Sequence, residues 1–142
     1  MKNEFLFSAS FRIRHPVLAA DYILSAIPLY PRIINSVGMQ RKTRQGDSLP
    51  GVYDRTYLSF PLDVSYYDSL EGFISSQIEK DYLSNEEFLR SLRQSGGEVE
   101  FFLGLCVYEN KGIVLDHDLI CRLARKSISL SFDLYGGNDE EK

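Results

Sequence analysis

Residues 92–135 read LRQSGGEVEFFLGLCVYENKGIVLDHDLICRLARKSISLSFDLY. Gly96-Gly97 marks a helix stop, because glycine accepts the left-handed backbone that ends a helix. Val99, Phe101, Leu103, Leu105 and Val107 then alternate with other residues at the period of two that identifies a half-buried strand. A turn at Glu109-Asn110-Lys111-Gly112 follows, with Gly112–Leu115 expected to pair back as a short hairpin arm. Asp116 is placed to cap a helix carrying Leu119, Ile120, Leu123 and Ala124. Arg122, Arg125 and Lys126 sit near its C-terminal end, where cations suit the dipole. A second alternating strand (Ile128, Leu130, Phe132, Leu134) closes the segment. The order predicts a small α+β domain whose sheet buries one face, and the segment holds no nucleophile, metal or phosphate signature.

Working outward, residues 5–14 alternate cleanly. Phe5, Phe7, Ala9, Phe11 and Ile13 share one phase, and Leu6, Ser8, Ser10, Arg12 and Arg14 the other. Pro16 opens an expected helix over 16–27 with the stripe Ala20, Ile23, Leu24 and Ile27, stopped by Pro28. Residues 32–37 are a short strand candidate. The run 38–51, GMQRKTRQGDSLPG, is Gly-rich and basic and predicts a long loop. Residues 52–60 resume as a strand. Leu70, Phe73, Ile74 and Ile78 form one helical stripe and Phe88, Leu89 and Leu92 another, with Ser84-Asn85-Glu86-Glu87 in capping-box form between them.

The expected fold is a two-layer α+β domain with a mixed, mostly antiparallel sheet. Its strands are 5–14, 52–60, 98–108 and 127–135, and its helices 16–27, 68–82, 85–95 and 117–126 lie on one face. One domain is expected over 1–136, with a frayed acidic tail at 137–142.

The chain has 142 residues with 44% hydrophobic and 25% charged side chains, which are ordinary globular values. It has no signal-like leader and no apolar run long enough for a membrane span, so a cytoplasmic protein with no membrane partner is expected. Residues 1–56 carry eight Lys/Arg against four Asp/Glu, and residues 57–142 eight against sixteen. A net charge of −4 argues against nucleic acid as a partner and is compatible with a protein partner met by charge complementarity. Monomer and homodimer both remain open at this level. Cys106 and Cys121 lack metal or redox spacing and are expected to be buried thiols.

Several segments in order resemble a known family. They are the opening strand ending Arg12-Ile13-Arg14, the Pro-ended first helix, Arg44-Gln45-Gly46-Asp47, the strand Tyr57-Leu58-Ser59, Gly97-Glu98-Val99-Glu100, and the closing Ser129-Leu130-Ser131-Phe132-Asp133-Leu134-Tyr135-Gly136. From about Phe5 to Gly136 the chain resembles the bacterial domain of unknown function 4279. That family usually has a Trp near the start of the third strand, where this chain has Tyr57. The resemblance implies a compact α/β layer fold and supplies no catalytic residue.

No catalytic, metal or cofactor site is expected from the residues. His15 and His117 are read as surface or capping side chains, because metal ligands normally cluster at diagnostic spacing. Ser8, Ser10, Ser129 and Ser131 fall on the non-core side of two strands without a histidine in phase. With Arg12, Arg14, Asp133 and Tyr135 they define a polar sheet face, and Arg41, Lys42, Arg44 and Asp47 a basic loop. These two surfaces are the expected binding site of a non-catalytic protein module that occludes a partner as an immunity or antitoxin-like protein does. A small-anion or small-molecule sensor and an enzyme without a recognisable motif are the alternatives.

Overall fold

A computed structural model describes residues 6–136. Phe5 and the expected tail at 137–142 lie outside the described residues. The long alternating segments form the sheet: β1 (Leu6–His15), β2 (Ile33–Asn35), β5 (Thr56–Leu62), β6 (Glu98–Cys106) and β7 (Ser129–Tyr135), in the order β2-β5-β1-β6-β7. β1 pairs antiparallel with β5 and β6, β2 pairs antiparallel with β5, and β6 pairs parallel with β7. A parallel pair needs a crossover, and α4 (His117–Arg125) supplies it. With α1 (Ala20–Leu24), α2 (Leu70–Ile78) and α3 (Glu86–Gln94) this makes the α+β fold expected from the sequence.

The core forms where the apolar phases of the central strands meet. Phe11 lies directly across from Phe60 on one side and Phe101 on the other, with ring centroids 5.9 and 5.7 Å apart. The Tyr82 ring, from a 3-10 turn between α2 and α3, stands edge-on to Phe11 at 5.3 Å. Its buried hydroxyl donates to Gln77 Oε1 at 2.6 Å, which satisfies a phenol that burial keeps protonated. Leu70, Phe73 and Ile74 of α2, Leu89 and Leu92 of α3, and Leu119 and Leu123 of α4 complete one continuous core.

Helix ends follow the local chemistry. Asp116 Oδ1 accepts from Leu119 N at 2.9 Å, as expected of an N-cap. At α3 the cap is Asn85, whose Oδ1 accepts from Phe88 N at 3.0 Å, while the Ser84 hydroxyl donates to Asp81 O. The cap therefore falls on Asn85 and not on Ser84, and with Phe88 at the third helical position the expected reciprocal capping box does not form. α3 ends in a Schellman pair, Gly97 N to Leu92 O at 2.8 Å and Gly96 N to Arg93 O at 3.1 Å, with Gly96 at φ +103°.

The first helix is shorter than its apolar stripe. The N–H groups of Val17 and Leu18 both donate to His15 Nδ1 at 3.0 Å, so residues 16–19 form a loop instead of a first turn. His15 is buried rather than a surface side chain. Because Nδ1 accepts twice, the ring proton sits on Nε2, which faces Ser95 Oγ at 2.8 Å. Burial lowers the His15 pKa below its ordinary 6.5. An unfolded chain then binds the proton more readily than the folded one, so stability is full above about pH 6.5 and falls as pH drops toward the folded value. Urea unfolding at neutral pH and at pH 5 is expected to show a larger loss for the wild type than for His15→Gln. An equal loss in both would remove His15 as the cause.

Three other expectations change. The 38–51 run is a two-stranded ribbon, β3 (Gln40–Lys42) paired with β4 (Ser48–Val52), so the expected strand over 52–60 divides between β4 and β5. Gly112–Leu115 forms no strand. On β7 the apolar phase is as read, but Phe132 is 43% and Leu134 65% exposed, because β7 is the last strand of the sheet and α4 packs inward toward α2.

Candidate functional site

All four helices pack on one side of the sheet, so the polar phase of each strand faces outward among the described residues. Register places Ser59, Arg12, Glu100 and Ser129 in one row across four strands, with Tyr57, Arg14 and Glu98 in the next row and Ser10, Phe102 and Ser131 on the other flank. Glu100 is buried at the centre. Its carboxylate accepts from Arg14 at 3.1 Å and from the Ser131 hydroxyl at 2.6 Å, and lies 4.0 Å from Arg12. Arg14 also pairs with Glu98 at 3.6 Å.

Both guanidinium groups lie within cation–π range of aromatic rings. Arg12 stacks 3.7 Å from the centre of Phe102, and Arg14 lies 5.1 Å from that of Tyr57. Cation–π attraction of this kind is worth roughly 0.5–2 kcal/mol according to desolvation. Arg12 Nε is buried without a hydrogen-bond partner among the described residues. The result is a patch of two arginines and two aromatic rings tied together by one buried carboxylate.

The eight residues expected to bind do not converge on one point. Arg12 and Arg14 form the patch. Asp133 lies level with Ser8 and Gly104, four residues or about 13 Å further along the strands, on the outermost strand. Tyr135 follows two residues on in the same phase, and hydrogen bonding to Asp133, with the Asp133 charge, raises its phenol pKa. The Tyr135 ring covers Gly104, where a Cβ would sit 3.4 Å from it.

Arg41, Lys42, Arg44 and Asp47 lie on the β3–β4 ribbon, at the opposite corner. The ribbon extends the β2–β5 pair through reciprocal bonds between Gly38, Met39 and Tyr53. At its tip Gly46 N donates to Thr43 O and Thr43 N to Asp47 O, with Gly46 at φ +97°, the geometry of a turn closed by a glycine bulge. Arg41 is tied to Pro50 O at 3.1 Å. Lys42 and Arg44 are exposed and make no ion pair among the described residues.

Glu100 and Phe102 carry no signal in the sequence beyond standing in the outward phase of an alternating strand. The cysteines are half-buried rather than buried. Cys106 sits on the outward face, and Cys121 lies 3.6 Å from the exposed His117 one helical turn away. Among the described residues no group of three or more His, Cys, Asp or Glu is arranged to hold a metal ion, and no helix is long and apolar enough to cross a membrane.

No protein-family model, curated protein or solved structure matches the chain. The site is therefore read from its own geometry. Two surface grooves of about 470 Å³ lie on the helical side. One, between α2 and α4, is lined by Glu71, Asp116, Asp118 and Arg122, and the other by Arg90 and Arg93 with Ala124 and Ser127. Neither includes Arg12, Arg14 or the ribbon.

Proposed function

We propose that the protein is a small cytoplasmic binding module, of the immunity or antitoxin kind, that occludes a partner protein with its uncovered sheet face and basic ribbon. The observation that supports this reading is that both elements belong to one sheet system: an Arg12–Arg14–Tyr57–Phe102 cluster on the outward phase, and a ribbon bonded to the end of the β2–β5 pair whose Lys42 and Arg44 make no ion pair among the described residues. Arginine and aromatic side chains concentrate binding energy at protein interfaces. An extended surface of this kind suits a protein partner with an acidic patch better than a small anion, for which an enclosing cavity is the usual host. The order of its segments also supports placing the chain with the domain of unknown function 4279, again as a proposal.

The test is charge reversal on the ribbon. Lys42→Glu with Arg44→Glu is expected to weaken binding of a partner captured from the native host by at least ~30-fold. Stability should stay within about 0.5 kcal/mol, as is usual for exposed positions. The control is Glu87→Lys with Arg93→Glu on α3, both exposed and free of ion pairs among the described residues, and should change little. Glu86 is unsuitable as a control because it pairs with Lys126 at 3.5 Å. Reversal at Arg12 or Arg14 strands the buried Glu100 and so lowers stability as well as binding. Binding that responds to the α3 pair and ignores the ribbon pair overturns the reading.

A further inference from the structure

The outermost strand β7 has the features of a self-association edge. Phe132 is 43% and Leu134 65% exposed on the apolar phase of the strand. Ile120, 52% exposed, lies on the side of α4 away from α2: Arg122 reaches α2 through Ser75 and Glu79, and helical spacing puts Ile120 on the opposite flank. Tyr135 O accepts from Val107 N on the β6 side, so Ser131, Asp133 and Tyr135 turn their backbone groups inward. Leu130, Phe132 and Leu134 consequently direct N–H and C=O outward, where they have no partner among the described residues. An open apolar edge of this kind is a template for another strand.

The sequence of β7 says which strand fits. Antiparallel pairing with a second copy, centred on Phe132, sets Phe132 against Phe132, Leu130 against Leu134, Ser131 against Asp133 and Ser129 against Tyr135. Every outward-facing backbone group meets its counterpart, and the apolar side chains meet across the strands, where such pairs stabilise. No like charges oppose each other. Shifting the centre to Asp133 would place two carboxylates face to face, which selects against that register. We infer that the protein forms a two-fold symmetric homodimer by antiparallel β7–β7 pairing, joining two five-stranded sheets into one. This dimer leaves the polar sheet face and both basic ribbons uncovered, so it does not depend on the proposed partner.

Sedimentation equilibrium of the full chain at about 100 µM, where a micromolar Kd gives mostly dimer, is expected to report the dimer mass. Phe132→Lys, which sets two ammonium groups across the axis, should raise the dimer Kd at least ~30-fold. A position-selective measurement stands beside it should Phe132→Lys fold poorly. In a Cys106→Ser, Cys121→Ser background, Phe132→Cys should oxidise to a covalent dimer, because paired residues sit about 5.5 Å apart, within disulfide range. Leu134→Cys should not, since its opposite residue is Leu130. A wild type that stays monomeric, or cross-linking at 134 and not at 132, overturns the inference.

Discussion

Phe101→Ala is expected to lower the free energy of unfolding by about 3–5 kcal/mol, the range for truncating a fully buried aromatic side chain. Phe101 is 0% exposed, sits on β6 between β1 and β7, and packs on Phe11, itself in contact with Phe60 and Tyr82. Its neighbour Phe102 points to the other side of the sheet and is only half-buried. Phe102→Ala should cost about 1 kcal/mol, mainly the lost stacking with Arg12. Urea unfolding of the two variants thus compares the two faces of one strand at adjacent positions. Equal losses, or a loss under about 1 kcal/mol for Phe101→Ala, would contradict the assignment of Phe101 to the core side of β6 and Phe102 to the opposite side.

A single methyl group at Gly97 is expected to be nearly as damaging. A Cβ there would meet His15 Cδ2 at 2.6 Å and the carbonyl oxygens of Arg14 and Leu92 at 2.8 Å. Two of those obstacles are backbone, and the Leu92 oxygen is also the acceptor that closes α3. The methyl can enter only by opening the helix end or displacing β1. Gly97→Ala should therefore cost about 3 kcal/mol, the upper part of the usual range for overpacking. Gly112, which has open space around it, provides the control: Gly112→Ala should be close to neutral. A Gly97→Ala variant as stable as Gly112→Ala would mean that α3 does not pack against the start of β6 and the end of β1 as described.

These effects indicate which parts of the molecule the sequence could reveal. β1 and β6 were legible because one phase of each must be apolar to bury the helical side, and Phe11 and Phe101 announce it. The stop at Gly96-Gly97 was legible because a Schellman end demands glycine. The ribbon was not, because Gln40, Arg41 and Lys42 are all exposed and show no alternation, and a Gly-rich basic run reads as a loop. The first helix was overextended because the capture of two N–H groups by His15 is invisible to apolar periodicity. The phase of β7 was readable and its exposure was not, since being last in the sheet depends on pairing across the whole chain. For the same reason Arg12 and Arg14 could be placed on the outward face, while Glu100 beneath them emerged only with the register that sets it opposite Arg12.

Side-chain footprinting with hydroxyl radicals, on the protein alone and bound to a partner captured from its host, tests the proposed function most directly. Tyr57, Phe102 and Met39 report on the sheet face and ribbon, and Tyr22 and Phe88, whose rings meet at 6.1 Å, on the helical side. The account predicts that binding protects Tyr57, Phe102 and Met39 and leaves Tyr22 and Phe88 as reactive as before. Protection of Tyr22 and Phe88 with no change at Tyr57 and Phe102 would contradict it.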